Sequence, residues 1–487
     1  MSRPPRLPRL PRLSRLPRRS RPGSSRTVTT AGLALGLTGS LVLLAGCAQG
    51  TGGGTGGDAD ATYDAGQNLS GQLSIMGFSV SDDVAESRLA VAKDAIAPAK
   101  VKLVEGELDI QQFLSAVAAG DPPDLIYADR NEIGTFASRG AIMPLGDCID
   151  GEGIDTGAFR ESALEQVTFE GDVYGIPEFN VVQIIQANRE LLQQAGLTVE
   201  DVNGHSWDSI TQASKKMSRT EDGDLTVIGF DSKLPEFLPL WAKANGAELI
   251  SEDGRTAQLD DPRVLEALKW AVGIYEDQGG FSAVKAFRDS TDFFGEGNQF
   301  ATGTLGAMPM EQWYVNILND VSPDAPMAFD TVHTLEGEPI AYASGLAWAI
   351  PAGSGNPEAA CRFARAMTET DTWVKAARNR KQAREKDGGI FTGLLTGNAE
   401  ADAKIRAMIE PGDPTWDAAI DAMYEANEHT FAAPANPADN AFETAWQDAV
   451  NRVLNGQQEP AEALAQAQEE AQQALDEAWA TWDKKEG

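Results

Sequence analysis

From Gln72 the apolar and polar positions alternate through Gln72-Leu-Ser-Ile-Met-Gly-Phe78, the period-two pattern of a strand. Asp82 and Asp83 then open a stretch of helical period that runs to about Ile96, with a carboxylate in place to cap it. Val101-Lys-Leu-Val104 reads as a second strand. Asp109 starts a helix carrying Phe113, Leu114 and Val117 that stops at Gly120-Asp-Pro-Pro123. Asp124-Leu-Ile-Tyr-Ala128 is a third strand, followed by a helix with Ile133 and Phe136 that is stopped by Gly140. Strands alternating with helices of this length predict an α/β fold with a parallel, doubly wound sheet. Such sheets bind ligands beyond the carboxyl ends of their strands, at the topological switch point. That places Gly77, Phe78, Ser79, Asp129 and Arg130 on a candidate ligand edge.

A second α/β region follows. Val181-Val-Gln-Ile-Ile-Gln-Ala187 reads as a strand, and Arg189 to Ala195 as a helix closed by Gly196. Ser206 starts another helix, and Thr226-Val-Ile-Gly-Phe230 is another strand. From Arg263 to Gln278 the pattern is amphipathic, with Val264, Leu265, Leu268, Val272 and Tyr275 on one face. Strand pattern returns in Leu346-Ala-Trp-Ala-Ile350. From Glu459 to Trp482, Leu464, Ala471, Leu475, Trp479 and Trp482 recur at helical spacing. That stripe is too short for a coiled coil and predicts a helix packed on the body. The chain has no internal repeat.

The chain before Gln72 is of a different kind. Nine arginines and no acidic residue precede an uncharged, largely apolar run from Ala31 to Leu44, which ends in Leu44-Ala-Gly-Cys47. A basic region, an apolar region and a small-residue cleavage site make a secretory signal over residues 1–46. The cysteine directly after Leu-Ala-Gly looks like a bacterial lipobox, in which Cys47 is lipidated and becomes the new N-terminus. The run is short for a membrane span, whereas two acyl chains anchor a protein stably. Arg18-Arg19 raises twin-arginine export, but Ser20-Arg21-Pro22 does not continue that motif, so both export routes stay open. Residues 47–70, beginning Ala48-Gln-Gly-Thr-Gly-Gly after Cys47, cannot bury enough apolar surface to order themselves. They read as a tether that holds a folded body off the lipid.

Removing the nine signal arginines leaves 31 basic residues against 73 acidic ones, a net charge near −42. Charge of that sign opposes nucleic acid as a partner. Besides Cys47 only Cys148 and Cys361 remain. Their sequence separation says nothing of their geometry, and two separate buried thiols are expected rather than a disulfide. The three histidines, His205, His333 and His429, lack a second metal-type ligand at useful spacing, so neither metal nor cofactor is expected. No nucleophile elbow and no P-loop is present. Carboxylates are too abundant to single out a hydrolytic pair, so the sequence carries no positive sign of an enzyme. Trp241, Trp313 and Trp348 are open to two readings: flat apolar faces for a sugar ring, or core packing.

Several segments in order resemble the extracellular solute-binding proteins of bacterial ABC importers, in the carbohydrate class that includes maltose-binding protein. They are Phe113-Leu-Ser-Ala-Val-Ala-Ala-Gly-Asp-Pro-Pro-Asp-Leu125, Gly140-Ala-Ile-Met-Pro-Leu145, Val173-Tyr-Gly-Ile-Pro177 and Ala187-Asn-Arg-Glu-Leu-Leu192. Further on come Phe300-Ala-Thr-Gly-Thr-Leu-Gly-Ala-Met308 through Trp313, Ser344-Gly-Leu-Ala-Trp-Ala-Ile-Pro351, Asn356-Pro-Glu-Ala-Ala360 and Glu459-Pro-Ala-Glu-Ala-Leu464. The resemblance implies two doubly wound α/β lobes of the type II periplasmic-binding-protein kind, joined by hinge crossovers. Residues 71–178 with about 340–390 would form lobe 1, and 179–339 with about 391–487 lobe 2. The first crossing is expected just after Ile176-Pro177, which would put Glu178, Phe179 and Asn180 in the cleft, and the return crossing near Pro339 to Ala343. Trp313 would stack on sugar, Asp129 would bond its hydroxyls, and Gly345 would bring backbone close to it. Trp241 and Trp348 are further candidates, although strand alternation can turn Trp348 inward. Glu178-Phe179-Asn180 stands where relatives often have Tyr-Asn, and Glu311 where a small residue is frequent, so no particular sugar follows. The resemblance implies a monomer that delivers a carbohydrate to a permease of an ABC importer; an exported lipid-anchored glycoside hydrolase is the alternative.

Overall fold

Local sequence chemistry sets the first elements of the fold. In the computed structural model, which describes Tyr63 and residues 66–486, strand β1 (Gln72–Met76) hands over to a helix at Asp83–Ala95. The Asp82 side chain accepts from the Ala85 N–H at 2.8 Å and caps that helix. Strand β2 (Lys100–Val104), a helix at Ile110–Ala119 capped by Asp109, and strand β3 (Leu125–Asp129) follow in the expected order. The helix ends on Gly120 at φ +74°, a left-handed stop that glycine takes without steric cost. A short hairpin comes next, β4 (Thr168–Phe169) and β5 (Asp172–Val173), and then β6 (Ile176–Val181). Cys47, the expected signal over residues 1–46 and most of the expected tether lie outside the described residues.

After β6 the chain changes sheets. The run from Val181 to Ala187, apolar but for Gln183 and Gln186, reads as one strand but is two, because Val182 is the crossing point: β6 ends at Val181 and β7 (Gln183–Asn188) begins in a second sheet. That sheet gains β8 (Arg219–Glu221), β9 (Asp224–Phe230), β10 (Leu305–Glu311), β11 (Met327–His333) and β12 (Pro339–Tyr342). The chain then returns through Ala343 to β13 (Ser344–Ala349) in the first sheet, while the short β14 (Thr430–Phe431) lies at the edge of the second.

The first sheet has the order β2-β1-β3-β13-β6 and the second β14-β12-β11-β7-β10-β9-β8. Both are mixed. β1, β2 and β3 are parallel as expected, but β13 runs antiparallel to β3 and β6, and β7 antiparallel to β10 and β11. Strands β6, β7, β12 and β13, which flank the two crossings, all make antiparallel pairs, and the β8–β9 hairpin adds another at the sheet edge.

Leu73, Ile75, Leu125, Tyr127, Trp348 and Phe363 fill one side of the first sheet. A larger cluster runs from the other side of that sheet, through Met76, Phe113, Ile126 and Ala128, into the second sheet around Ile184, Ile185, Ile228, Phe230 and Trp241. The Thr370–Asp387 helix packs on the Asp83–Ala95 helix and carries the Ala399–Arg406 helix on it, and Val84, Trp373, Ala377 and Ile405 share one cluster. Cys148 and Cys361 are disulfide-bonded, not separate thiols. The Gly146–Glu152 and Pro357–Thr368 helices pack side by side and bring the two Cα atoms to 5.9 Å, a spacing that a sequence separation of 213 residues could not reveal.

Candidate functional site

A cavity of about 660 Å³ opens at the carboxyl ends of β1, β2 and β3. This is where a parallel sheet leaves backbone termini and loops free to meet a ligand. Phe78 and Ser79 follow β1, Glu107 and Leu108 follow β2, and Asp129 ends β3; all five line the cavity, with Tyr127, Glu132 and Phe179. The wall therefore pairs apolar and aromatic surface with hydrogen-bond acceptors, the composition of sites for small polar ligands. The Ser79 hydroxyl accepts from the Gly106 N–H at 2.8 Å, which fixes the loops after β1 and β2 to each other.

The carboxylates of this wall are electrostatically stressed. Desolvation raises the Asp129 carboxyl above its usual range and Glu107 adds to the effect, against the pull of Arg130. Glu132 is pushed up to about 7, first by burial and then by Asp129 and Glu443. Glu443 comes from the Asp439–Leu454 helix, accepts from the Asn131 side chain, and is itself raised by burial. Glu107, Tyr127, Glu132 and Glu443 were not singled out by sequence. The strand-end rule that picked out Phe78 and Asp129 applies equally to Glu107 after β2. Glu443 lies in an ordinary amphipathic helix more than 300 residues from Asn131 and gives no signal.

Three expected cleft residues hold the hinge instead. Glu178 is fully buried: it accepts from Arg88 Nη1 and from the Tyr127 hydroxyl, so its charge is spent beneath the cavity floor. The Arg88 guanidinium lies 3.9 Å from the centre of the Trp373 ring and 5.0 Å from that of Phe179. Arg130 is also fully buried. Its Nη2 donates to Asn180 Oδ1 at 2.7 Å and to the Ser344 carbonyl, and burial pushes it down to about 9. Asn180 spends its other end on Asn427, donating at 2.6 Å. Of the Glu178-Phe179-Asn180 triplet, only Phe179 reaches the cavity, because alternation along β6 turns its neighbours inward. Gly345 sits at φ +148°, and a Cβ there would collide with the Phe179 carbonyl and the Arg130 guanidinium. The glycine thus serves the close approach of β13 to β6.

The tryptophans divide. Trp348 is fully buried between Tyr127, Phe78 and Phe363, with ring centroids 4.6, 5.2 and 5.5 Å away, so strand alternation does turn it inward. Trp241 is fully buried in the Leu238–Ala244 helix and not in a loop; its indole donates to the Ser232 carbonyl at 2.8 Å and packs edge-on to Trp270. Both are core residues. Trp313 is different: 36% exposed, it opens the Trp313–Val321 helix and lies near-parallel to Phe294, itself 61% exposed, at 6.3 Å. Glu311 ends β10 opposite Gln183, and burial raises its carboxyl. Neither Glu311 nor Trp313 lines the cavity; both stand in the second lobe beside the crossing at Val182.

The family model for bacterial extracellular solute-binding proteins matches residues 100–372, more than half of the chain. A binding protein of Brucella abortus is 23% identical over 277 residues, 52% of this chain and 64% of that one. The arabinooligosaccharide-binding protein of Halalkalibacterium halodurans is 23% identical over 276 residues, 55% and 60% of the two chains. The chain thus spans less than two thirds of the length of these relatives. Among solved structures, the maltose/maltodextrin-binding domain of Bdellovibrio bacteriovorus bound to maltotriose superposes with a TM-score of 0.62 at 18% identity, covering 83% of this chain and all of that one. The two-sheet architecture with paired crossings is therefore the type II two-lobed fold, and this chain belongs to the bacterial extracellular solute-binding protein family.

Proposed function

We propose that this protein captures a carbohydrate between its two lobes and delivers it to the permease of an ABC importer, working outside the cytoplasm on a lipid anchor at Cys47. The observation that carries the reading is the cavity of about 660 Å³ at the carboxyl ends of three parallel strands, set beside a double crossing between sheets. Asp129 and Glu132 accept hydrogen bonds from sugar hydroxyls, and Phe78 and Phe179 give the cavity its apolar faces. Trp313 closes on the ligand from the second lobe. A ligand that touches both lobes favours the closed arrangement by its difference in affinity for the two states. No bond is made or broken, and the protein acts as a monomer.

A thermal-shift screen of mono- and oligosaccharides, polyols and compatible solutes, followed by calorimetric titration of each hit, tests this reading. A sugar that raises Tm, binds with one site and is recovered intact supports it. Cleavage of the oligosaccharide would make the protein a glycoside hydrolase, and a screen in which only non-carbohydrates bind would remove the sugar.

A further inference from the structure

Where the chain leaves one sheet for the other it loses its ladder partners, and buried backbone groups must be satisfied in some other way. Here the substitutes are glutamine side chains. The Gln183 amide, the first side chain beyond the first crossing, donates to the Tyr342 carbonyl at 3.0 Å and accepts from the Tyr342 N–H at 2.9 Å, so it binds one crossing to the other. Gln166 donates to the Ala343 carbonyl at 3.2 Å. Gln312 makes the fullest clasp. Its backbone N–H donates to the Val182 carbonyl at 2.9 Å, its Oε1 accepts from the Val182 N–H at 2.9 Å, and its Nε2 donates to the Asn180 carbonyl at 3.1 Å. All three glutamines are buried. The residue after Gln312 is Trp313, the exposed ring that opens the Trp313–Val321 helix.

We propose that Gln312 is a positioning residue that gears the hinge to the ligand face: it holds the crossing peptide at Val182 on both sides, so rotation of the crossing is passed to Trp313. The inference rests on the reading of Trp313 as a ligand platform. The geometry favours gearing over simple support for two reasons. The clasp grips the one residue of the first crossing that belongs to neither sheet, and Gln312 joins it to Trp313 through a single peptide. Helical packing alone would leave the orientation of that first residue free of the hinge. Asn180, the other residue Gln312 holds, is tied in turn to Arg130 and Asn427, so the clasp reaches elements on both sides of the crossing.

The test is made on the mature protein without ligand, so that its failure and the failure of the carbohydrate reading remain distinct. Tryptophans are labelled with 5-fluorotryptophan, and the Trp313 resonance is assigned as the one lost in Trp313→Phe. Gln312→Met keeps the volume and removes the side-chain clasp. Gln278→Met is the control: Gln278 is a buried amide that also makes three hydrogen bonds, at 2.7, 2.8 and 2.9 Å, but within the second lobe and away from the crossings. The expected result is that both variants lower Tm, while only Gln312→Met displaces or broadens the Trp313 resonance and changes the radius of gyration in solution scattering. An unmoved Trp313 resonance and an unchanged radius in Gln312→Met overturn the proposal and leave Gln312 a structural amide. If Gln312→Met fails to fold, Gln312→Glu is used, which keeps the acceptor for Val182 but sets an oxygen against the Asn180 carbonyl. It must displace the same resonance, and failure to do so is equally fatal.

Discussion

Glu132→Gln should stabilise this protein at alkaline pH, although it removes a carboxylate from the ligand cavity. Burial, with Asp129 and Glu443 nearby, raises the Glu132 carboxyl from 4.5 to about 7. A carboxyl with a raised folded-state pKa binds more protons folded than unfolded, so its contribution is full below pH 4.5 and is lost as pH rises through 7. At about 1.4 kcal/mol per pH unit the shift corresponds to roughly 3 kcal/mol at pH 8, and solvent screening of this partly exposed group reduces that to about 1–2 kcal/mol. Glutamine is neutral at every pH and avoids the cost. Chemical denaturation of wild type and Glu132→Gln at pH 8 and pH 5 measures the effect. The variant should gain about 1–2 kcal/mol at pH 8 and only a few tenths at pH 5, because most of the difference arises between those values. A gain that is the same at both pH values, or a loss at pH 8, would refute the electrostatic account of this wall. The same substitution should weaken sugar binding, as expected where a functional site holds groups that the fold alone would not favour.

Four other outcomes follow, three from the same geometry and one from the sequence. Arg88→Met leaves the Glu178 carboxylate buried with only the Tyr127 hydroxyl as partner and should cost about 3–5 kcal/mol in denaturant unfolding, with a good part restored when Glu178→Gln is added. Trp348→Ala should cost about 3–5 kcal/mol of stability. Trp313→Ala should instead leave denaturation nearly unchanged and weaken a sugar found by screening about 5- to 150-fold in calorimetry, or roughly 1–3 kcal/mol; the reverse pattern would return Trp313 to the core. Cys47→Ala removes the proposed lipid acceptor and should shift the expressed protein from the detergent phase to the aqueous phase.

The first sheet was legible because local signals and fold agree there. Asp82 and Asp109 cap the helices they precede, Gly120 stops one, alternation marks β1, and an apolar run marks β3. The strand-end rule then found Phe78, Ser79 and Asp129, which do line the cavity. It failed where tertiary contacts decide. Arg130 follows Asp129 directly, yet it turns under the sheet to hold Asn180 and Ser344, partners 50 and 214 residues away. Glu178 is drawn under the cavity floor by Arg88, 90 residues earlier. The crossing at Val182 left no trace in an apolar run, since a residue passing between two sheets is as buried as one within either. For Trp241, left open between a sugar face and core packing, the deciding fact is that proline in the first turn opens the Leu238–Ala244 helix, which packs the ring inside the second lobe.

The central claim is capture of a carbohydrate by closure of two lobes about the crossings at Val182 and Ala343. Solution scattering of the mature protein with and without a sugar identified by screening and calorimetry tests it most directly. The account predicts a smaller radius of gyration at saturation, together with a raised Tm. A sugar that binds with one site and raises Tm while leaving the scattering profile unchanged would contradict it.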